Sequence, residues 1–155
     1  MNEAFLSKIM DRYGDAVYRL ALCRLQNKAD AEDVYQETFL ALFQQKDAAK
    51  WADERLKAWL LRVAMNQCAD IGRRRKKHTC MDLTELPEFS GDDPYGYVDL
   101  WDAVSHLPEK LRTIFHLFYG ESCKTQEIAG ILNIPDSTVR VYLNRARTML
   151  RKELS

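Results

Sequence analysis

Apolar residues recur at three- and four-residue intervals along most of this chain, the spacing that lines one face of an α-helix. That period predicts a first helix over residues 2–26 and a second over 31–46, with Asp30 as its N-cap and Asp33 in its first turn. A third is expected from Glu54 to Lys77, interrupted near its end by Gly72. The pattern then breaks over residues 80–96, CMDLTELPEFSGDDPYG, where Pro87, Gly91, Pro94 and Gly96 stand without a sustained period, as in a linker. Helical signals resume at Tyr97 and run through Leu107, and Pro108 fits the first turn of another helix ending near Gly120. A short helix over Thr125–Leu132 and a last one from Asp136 complete the chain. β-branched residues are scattered and no Asn-Gly or Asp-Gly hairpin occurs, so strands are not expected. The expected fold is all-α: two small helical modules, residues 1–79 and 97–155, joined by a flexible acidic linker, residues 80–96.

Composition narrows the class. A chain of 155 residues with 46% hydrophobic and 30% charged residues has the balance of a globular protein of one domain or two small ones. No stretch approaches the ~20 apolar residues of a membrane span, and the charged, amphipathic start MNEAFLSKIMDRYG is not a signal peptide. A cytoplasmic protein without membrane insertion is expected. Cys23, Cys68, Cys80 and Cys123 are scattered and form no C-x-x-C pair, so reduced thiols are expected rather than a metal site. His78 and Cys80 lack the further ligands that a closed zinc site needs. No metal and no cofactor is expected.

The net charge of zero hides strong segregation. Residues 1–72 are nearly balanced, Arg73 to Lys77 are all basic, and residues 81–109 hold eight acids and no lysine or arginine. The last twenty residues return to five basic against two acidic. Two basic patches separated by an acidic bridge suit two contacts with an anionic ligand, or two solvated helix ends.

The stretch TQEIAGILNIPDSTVRVYLNRARTMLRKEL reads as a helix-turn-helix. Ile128, Ala129 and Leu132 give the short helix an apolar face, and Asn133-Ile134-Pro135 make the turn, since proline disfavours helix at the residue before it. Val139, Leu143, Ala146 and Leu150 then face inward. The opposite face offers Ser137, Thr138, Arg140, Val141, Asn144, Arg145 and Arg147, which mixes base-reading side chains with phosphate-binding charge, as a recognition helix requires. Asp136 either caps this helix, as Ser137 also can, or accepts a hydrogen bond from a cytosine amino group.

In DAEDVYQETFLALF, residues 30–43, Tyr35, Phe39, Leu42 and Phe43 can form one apolar stripe. Asp33, Gln36, Glu37 and Leu40 make a second, acidic face with an exposed leucine, suited either to a basic helical partner or to solvent. This stretch resembles the core-binding helix (region two) of bacterial RNA polymerase sigma factors. EIAGILNIPDSTVRVYLNRAR resembles their region four, which reads the minus-thirty-five promoter element. The order of the modules, the short linker and the length resemble the extracytoplasmic-function (ECF) group, from about Phe5 to Leu154.

The resemblance implies an alternative sigma factor that binds core RNA polymerase, with Asp33, Gln36, Glu37 and Leu40 meeting the clamp helices of the largest subunit. WLLRVAMNQCADIGRRRKK, residues 59–77, is similar to the family's minus-ten-reading, strand-opening helix. In it Arg62, Asn66, Asp70 and Arg73 fall on one polar stripe, expected opposite Trp59, Val63 and much of the apolar set, and Arg74 to Lys77 extend the positive surface. The family often has Arg-Asn where this chain has Met65-Asn66, whereas Asn66, Asp70 and Arg73 match. The preceding loop, QQKDAAKWADE, corresponds to the family's pocket for a flipped promoter base, with Trp51 either stacking there or packing the loop. Trp59 is expected in the core. The resemblance implies that the acidic linker passes through polymerase channels that later carry nucleic acid, with a passive, soluble tether as the alternative. The family also implies promoter DNA and an anti-sigma factor as partners.

Two other classes of protein share some of these features. An autonomous helix-turn-helix regulator would use residues 30–43 for self-association or sensing and would bind a palindromic operator by itself. A hydrolase would need a catalytic cluster, and neither the dispersed carboxylates nor His78, His106 and His116 form one, so no enzymatic activity is expected.

Overall fold

The computed structural model describes residues 3–77 and 98–154, with the side chains of 75–77 and of Val98 left out of account. The linker 80–96, together with His78, Cys80 and Tyr97, lies outside the described residues. Among the described residues there is no strand, and the chain divides into two compact units.

The first unit contains α1 (Glu3–Leu25), α2 (Lys28–Phe43), a single 3-10 turn (Ala48–Lys50) and α3 (Asp53–Lys77), and each helix packs on the other two. Ile9, Val17 and Leu20 of α1, Val34, Phe39 and Leu42 of α2, and Leu56, Leu60, Leu61, Ala64 and Cys68 of α3 make its core. At Gly14 α1 lies close against α2: a Cβ there would stand 3.1 Å from the Tyr35 ring and hydroxyl. Nearby on α1, Arg12 pairs with Asp53 at 3.0 Å, tying α1 to the first turn of α3.

Two expected features of this unit are corrected. The N-cap of α2 is Asn27, not Asp30: Asn27 Oδ1 accepts the Asp30 N–H at 3.0 Å, so Asp30 sits in the first turn and Asp33 beyond it. The Asn27 carbonyl also accepts the Ala31 N–H at 3.0 Å, so the helix starts three residues earlier than Asp30 alone suggests. Gly72 does not interrupt α3, which continues to Lys77. A single helical glycine costs only about 1 kcal/mol against alanine, too little to break a helix that is anchored by packing along its length.

The second unit contains α4 (Val98–Ser105), α5 (Glu109–Phe115), a π-turn (His116–Gly120), α6 (Thr125–Leu132) and α7 (Asp136–Leu154). Its core gathers Val104 and Leu107, Ile114 and Leu117, Ile128 and Ile131, and the expected inward set Val139, Leu143, Ala146 and Leu150. Ala129 and Leu132 are only half-buried, so the apolar face of α6 is centred on Ile128 and Ile131. Pro108 precedes α5 as its cap residue rather than lying in its first turn. Its carbonyl accepts the Arg112 N–H at 2.9 Å, and Arg112 itself is buried, donating Nη1 to the Leu107 carbonyl at 3.1 Å.

The π-turn is built around a buried pair. His116 Nε2 and Glu121 Oε2 lie 3.1 Å apart, and a Cβ on Gly120 would stand 3.0 Å from the His116 ring, a tight contact that glycine relieves. His116 is therefore a core residue, whereas His106 is exposed with Nδ1 3.1 Å from Glu153 Oε1.

The helix-turn-helix junction follows from Asn133. Its left-handed backbone (φ 56, ψ 49) ends α6, and the Ile134 N–H closes onto the Ala129 carbonyl at 3.1 Å. Neither Asp136 nor Ser137 occupies the cap of α7. Pro135 does, its carbonyl accepting the Thr138 and Val139 N–H groups at 3.0 and 3.1 Å, which leaves Asp136 free to pair with Arg140 at 2.7 Å.

Candidate nucleic-acid interface

Three surfaces hold the residues singled out above. On α2, Asp33, Gln36 and Glu37 are exposed together, and Leu40 stands 53% exposed beside them. Phe39 and Leu42 turn inward and Tyr35 is half-buried, but Phe43 does not complete their stripe: it is 43% exposed. Three residues beyond Leu40, it falls on the acidic side of the helix and doubles the apolar part of that face. An acidic rim around two unpartnered apolar side chains can dock a basic, partly apolar helix.

On α3, Arg62 and Asn66 are exposed, Asp70 is half-buried and ion-paired to Arg73, and Arg74 is exposed. Trp59 and Val63 are not opposite this stripe, nor is Trp59 in the core. Both are half-buried on the same side, because Trp59, Val63, Asn66 and Asp70 follow the i, i+4, i+7, i+11 spacing of one helix face. The buried face is instead Leu60, Leu61, Ala64 and Cys68. Burial pushes the Cys68 thiol up to about 12, an effect the Arg24 guanidinium only partly opposes.

Trp51 reaches the same surface from the preceding loop. Its ring is tilted against Trp59 with centroids 5.7 Å apart, and the Arg55 guanidinium lies 4.5 Å from its centroid. Two aromatic rings, a stacked cation and a polar stripe with Arg62, Asn66 and Arg73 therefore adjoin, the combination that receives unstacked bases and their phosphates. Arg55 and Trp59 are the members sequence reading missed, and the seven-residue step from Trp59 to Asn66 was the available signal.

On α7, Ser137, Arg140, Val141, Asn144 and Arg145 are exposed, Val141 by 48%, and Thr138 and Arg147 are half-buried. Arg145 lies 5.7 Å from the Tyr142 centroid. Arg147 is held more firmly, because its Nε donates to the Tyr119 hydroxyl at 2.8 Å and its Nη1 to Asn144 Oδ1 at 3.1 Å. Among the described residues, no three His, Cys, Asp or Glu side chains are grouped to hold a metal ion, and no helix is long and apolar enough to cross a membrane.

Comparison with known proteins points to one family. Residues 9–78 match sigma-70 region 2, and residues 97–150 match sigma-70 region 4. The ECF RNA polymerase sigma factor SigW of Bacillus subtilis is 31% identical, over 94% of this chain and 87% of that protein. The RNA polymerase sigma factor SigV of the same organism is 32% identical, over 89% and 84%. Among solved structures, CnrH in complex with the cytosolic domain of CnrY shares the fold with a TM-score of 0.69 at 21% identity, covering 99% of this chain and 89% of that one. The sigma factor RpoE of Bartonella quintana, solved with the anti-sigma factor NepR, does so at 0.73 and 19%, covering 96% and 95%.

Two helical modules with these matches, in this order, define a sigma-type transcription-initiation factor. The chain belongs to the extracytoplasmic-function (ECF) group of RNA polymerase sigma factors. It is thus an alternative sigma factor, and the reading as an autonomous regulator is not favoured.

Proposed function

We propose that the two units divide the work of a dissociable promoter-specificity subunit, with residues 1–79 binding core polymerase and the minus-ten element, 97–155 binding the minus-thirty-five element, and 80–96 joining them. Asp33, Gln36, Glu37 and Leu40, with Phe43 added, dock α2 on the clamp helices of the largest subunit. Arg62, Asn66, Asp70, Arg73 and Arg74 then meet the opened minus-ten strand, and Trp51 and Trp59 offer it a stacking surface. Ser137, Thr138, Arg140, Val141, Asn144, Arg145 and Arg147 read the upstream duplex from the major groove. The protein acts in the cytoplasm, without enzymatic activity of its own, and is held in check by an anti-sigma factor, a reading supported by the complex of the sigma factor RpoE with the anti-sigma factor NepR.

The observation that carries this reading is the exposed acidic and apolar face of α2 in the same chain as an exposed, arginine-flanked face of α7. Each alone is a common surface, and together they suit one subunit that holds polymerase and promoter at once. Run-off transcription with core polymerase tests it. The native protein should support promoter-dependent initiation, and a variant carrying Asp33→Ala, Gln36→Ala and Glu37→Ala should lose most of it while keeping its helical circular dichroism. Equal transcripts from both proteins would sink the α2 assignment.

A further inference from the structure

Tyr119 is an exposed aromatic residue outside α7 that has so far been given no role beyond its contact with Arg147. It stands 47% exposed on the π-turn, far in sequence from α7. Its ring is nonetheless fixed, with centroids 4.5 Å from Phe115, which is buried, and 4.8 Å from Phe118. The hydroxyl accepts from Arg147 Nε at 2.8 Å, and the guanidinium carbon lies 5.5 and 5.6 Å from the Tyr119 and Phe118 centroids. A long, rotamer-rich arginine is thereby held by a hydrogen bond and two aromatic rings.

Arg147 passes this order on. Its Nη1 donates to Asn144 at 3.1 Å. Arginine has donors and no acceptor, so the amide atom facing it must be the oxygen, and the Asn144 NH2 group points elsewhere. Asn144 is exposed one turn beyond Val141, on the outer face of α7. A free asparagine can rotate its amide to offer either a donor or an acceptor, and it reads adenine by using both. With the oxygen engaged by a guanidinium, the side chain is biased toward donating.

We propose that Tyr119 is a positioning residue for promoter reading: through Arg147 it orients the Asn144 amide so that α7 presents a donor to acceptor edges in the major groove, such as purine N7, guanine O6 or thymine O4. This rests on the reading of α7 as the helix that meets the upstream duplex. The relay fits the construction of the turn. A residue on a tightly packed π-turn, built on the buried His116–Glu121 pair, is a firmer anchor than another flexible side chain on α7 itself.

The test uses the full-length protein with core RNA polymerase and a duplex library randomised across the upstream element, sequencing the polymerase-bound fraction. Tyr119→Phe removes the acceptor and keeps the ring on Phe115 and Phe118. Asn144→Ala first identifies the base position that Asn144 reads. At that position Tyr119→Phe should reduce discrimination in the same direction, by about two- to tenfold, the size of one net hydrogen bond. A profile for Tyr119→Phe that matches the native one, or that weakens all sequences uniformly, overturns the proposal while a shifted Asn144→Ala profile leaves the α7 assignment standing. If neither Asn144→Ala nor Arg145→Ala changes any position, the α7 reading itself fails and the proposal with it.

Discussion

Cys68 shows how a single side chain takes its chemistry from its surroundings. It is fully buried in the first unit, and burial holds its thiol up at about 12. The thiolate is the reactive form, so at pH 8 the native protein should label at Cys68 with iodoacetamide slower than the unfolded protein by orders of magnitude, measured by peptide mass spectrometry. The sign for stability follows. A thiol whose folded value lies above its unfolded value of 9.0 contributes fully below pH 9, and that contribution is lost as pH rises from 9 toward 12. Phe43 and Trp59 make the same point from the other direction. Both are apolar, Phe43 was expected in the apolar stripe of α2 and Trp59 in the core, and both keep substantial exposure because their helical positions turn them outward.

At the scale of elements, the helix ends carry more information than the helix bodies. The three-to-four-residue period located every described helix to within a few residues, since it records burial along a regular backbone. Caps depend on one local hydrogen bond and were harder to place. Asn27 and Asp30 are both good capping residues, and the chain uses Asn27 as the cap with Asp30 in the first turn, where its charge meets the helix dipole. Asn27→Ala should therefore lower unfolding stability by about 0.5–2 kcal/mol, read from urea denaturation, whereas Asp33→Ala, on the exposed face, should stay within about 0.5 kcal/mol. The π-turn at His116–Gly120 reads in the sequence as the end of one continuous helix from Pro108, because the period does not separate it from α. It depends on His116 meeting Glu121 and on a glycine that clears the ring, a packing relation and not a repeat.

For the whole molecule, charge distribution matters more than total charge. The net charge is zero, with basic groups gathered at Arg73 to Lys77 and along α7. In addition, Arg73, Arg140 and Arg147 already have partners within their own unit. With these three arginines engaged, the free protein should make few phosphate contacts, bind promoter duplex weakly at physiological salt, and show only a shallow fall in affinity as salt rises. Adding core polymerase should raise promoter affinity by orders of magnitude in a fluorescence anisotropy titration. Tight, specific binding by the free protein would contradict this.

The sequence by itself determined that the chain is helical, that Val139, Leu143, Ala146 and Leu150 line the inner face of α7, and which residue types α2, α3 and α7 can display, because all of these follow from spacing along one helix. It also held the two motifs whose order identifies the family. Only the tertiary structure decided that Trp51 and Arg55 join Trp59 in one cluster, and that Tyr119 holds Arg147 and through it Asn144. The physical reason is distance along the chain. Periodicity reports which side of a helix meets the core. The contact between Tyr119 and Arg147 exists only once the π-turn and α7 have packed on that core together.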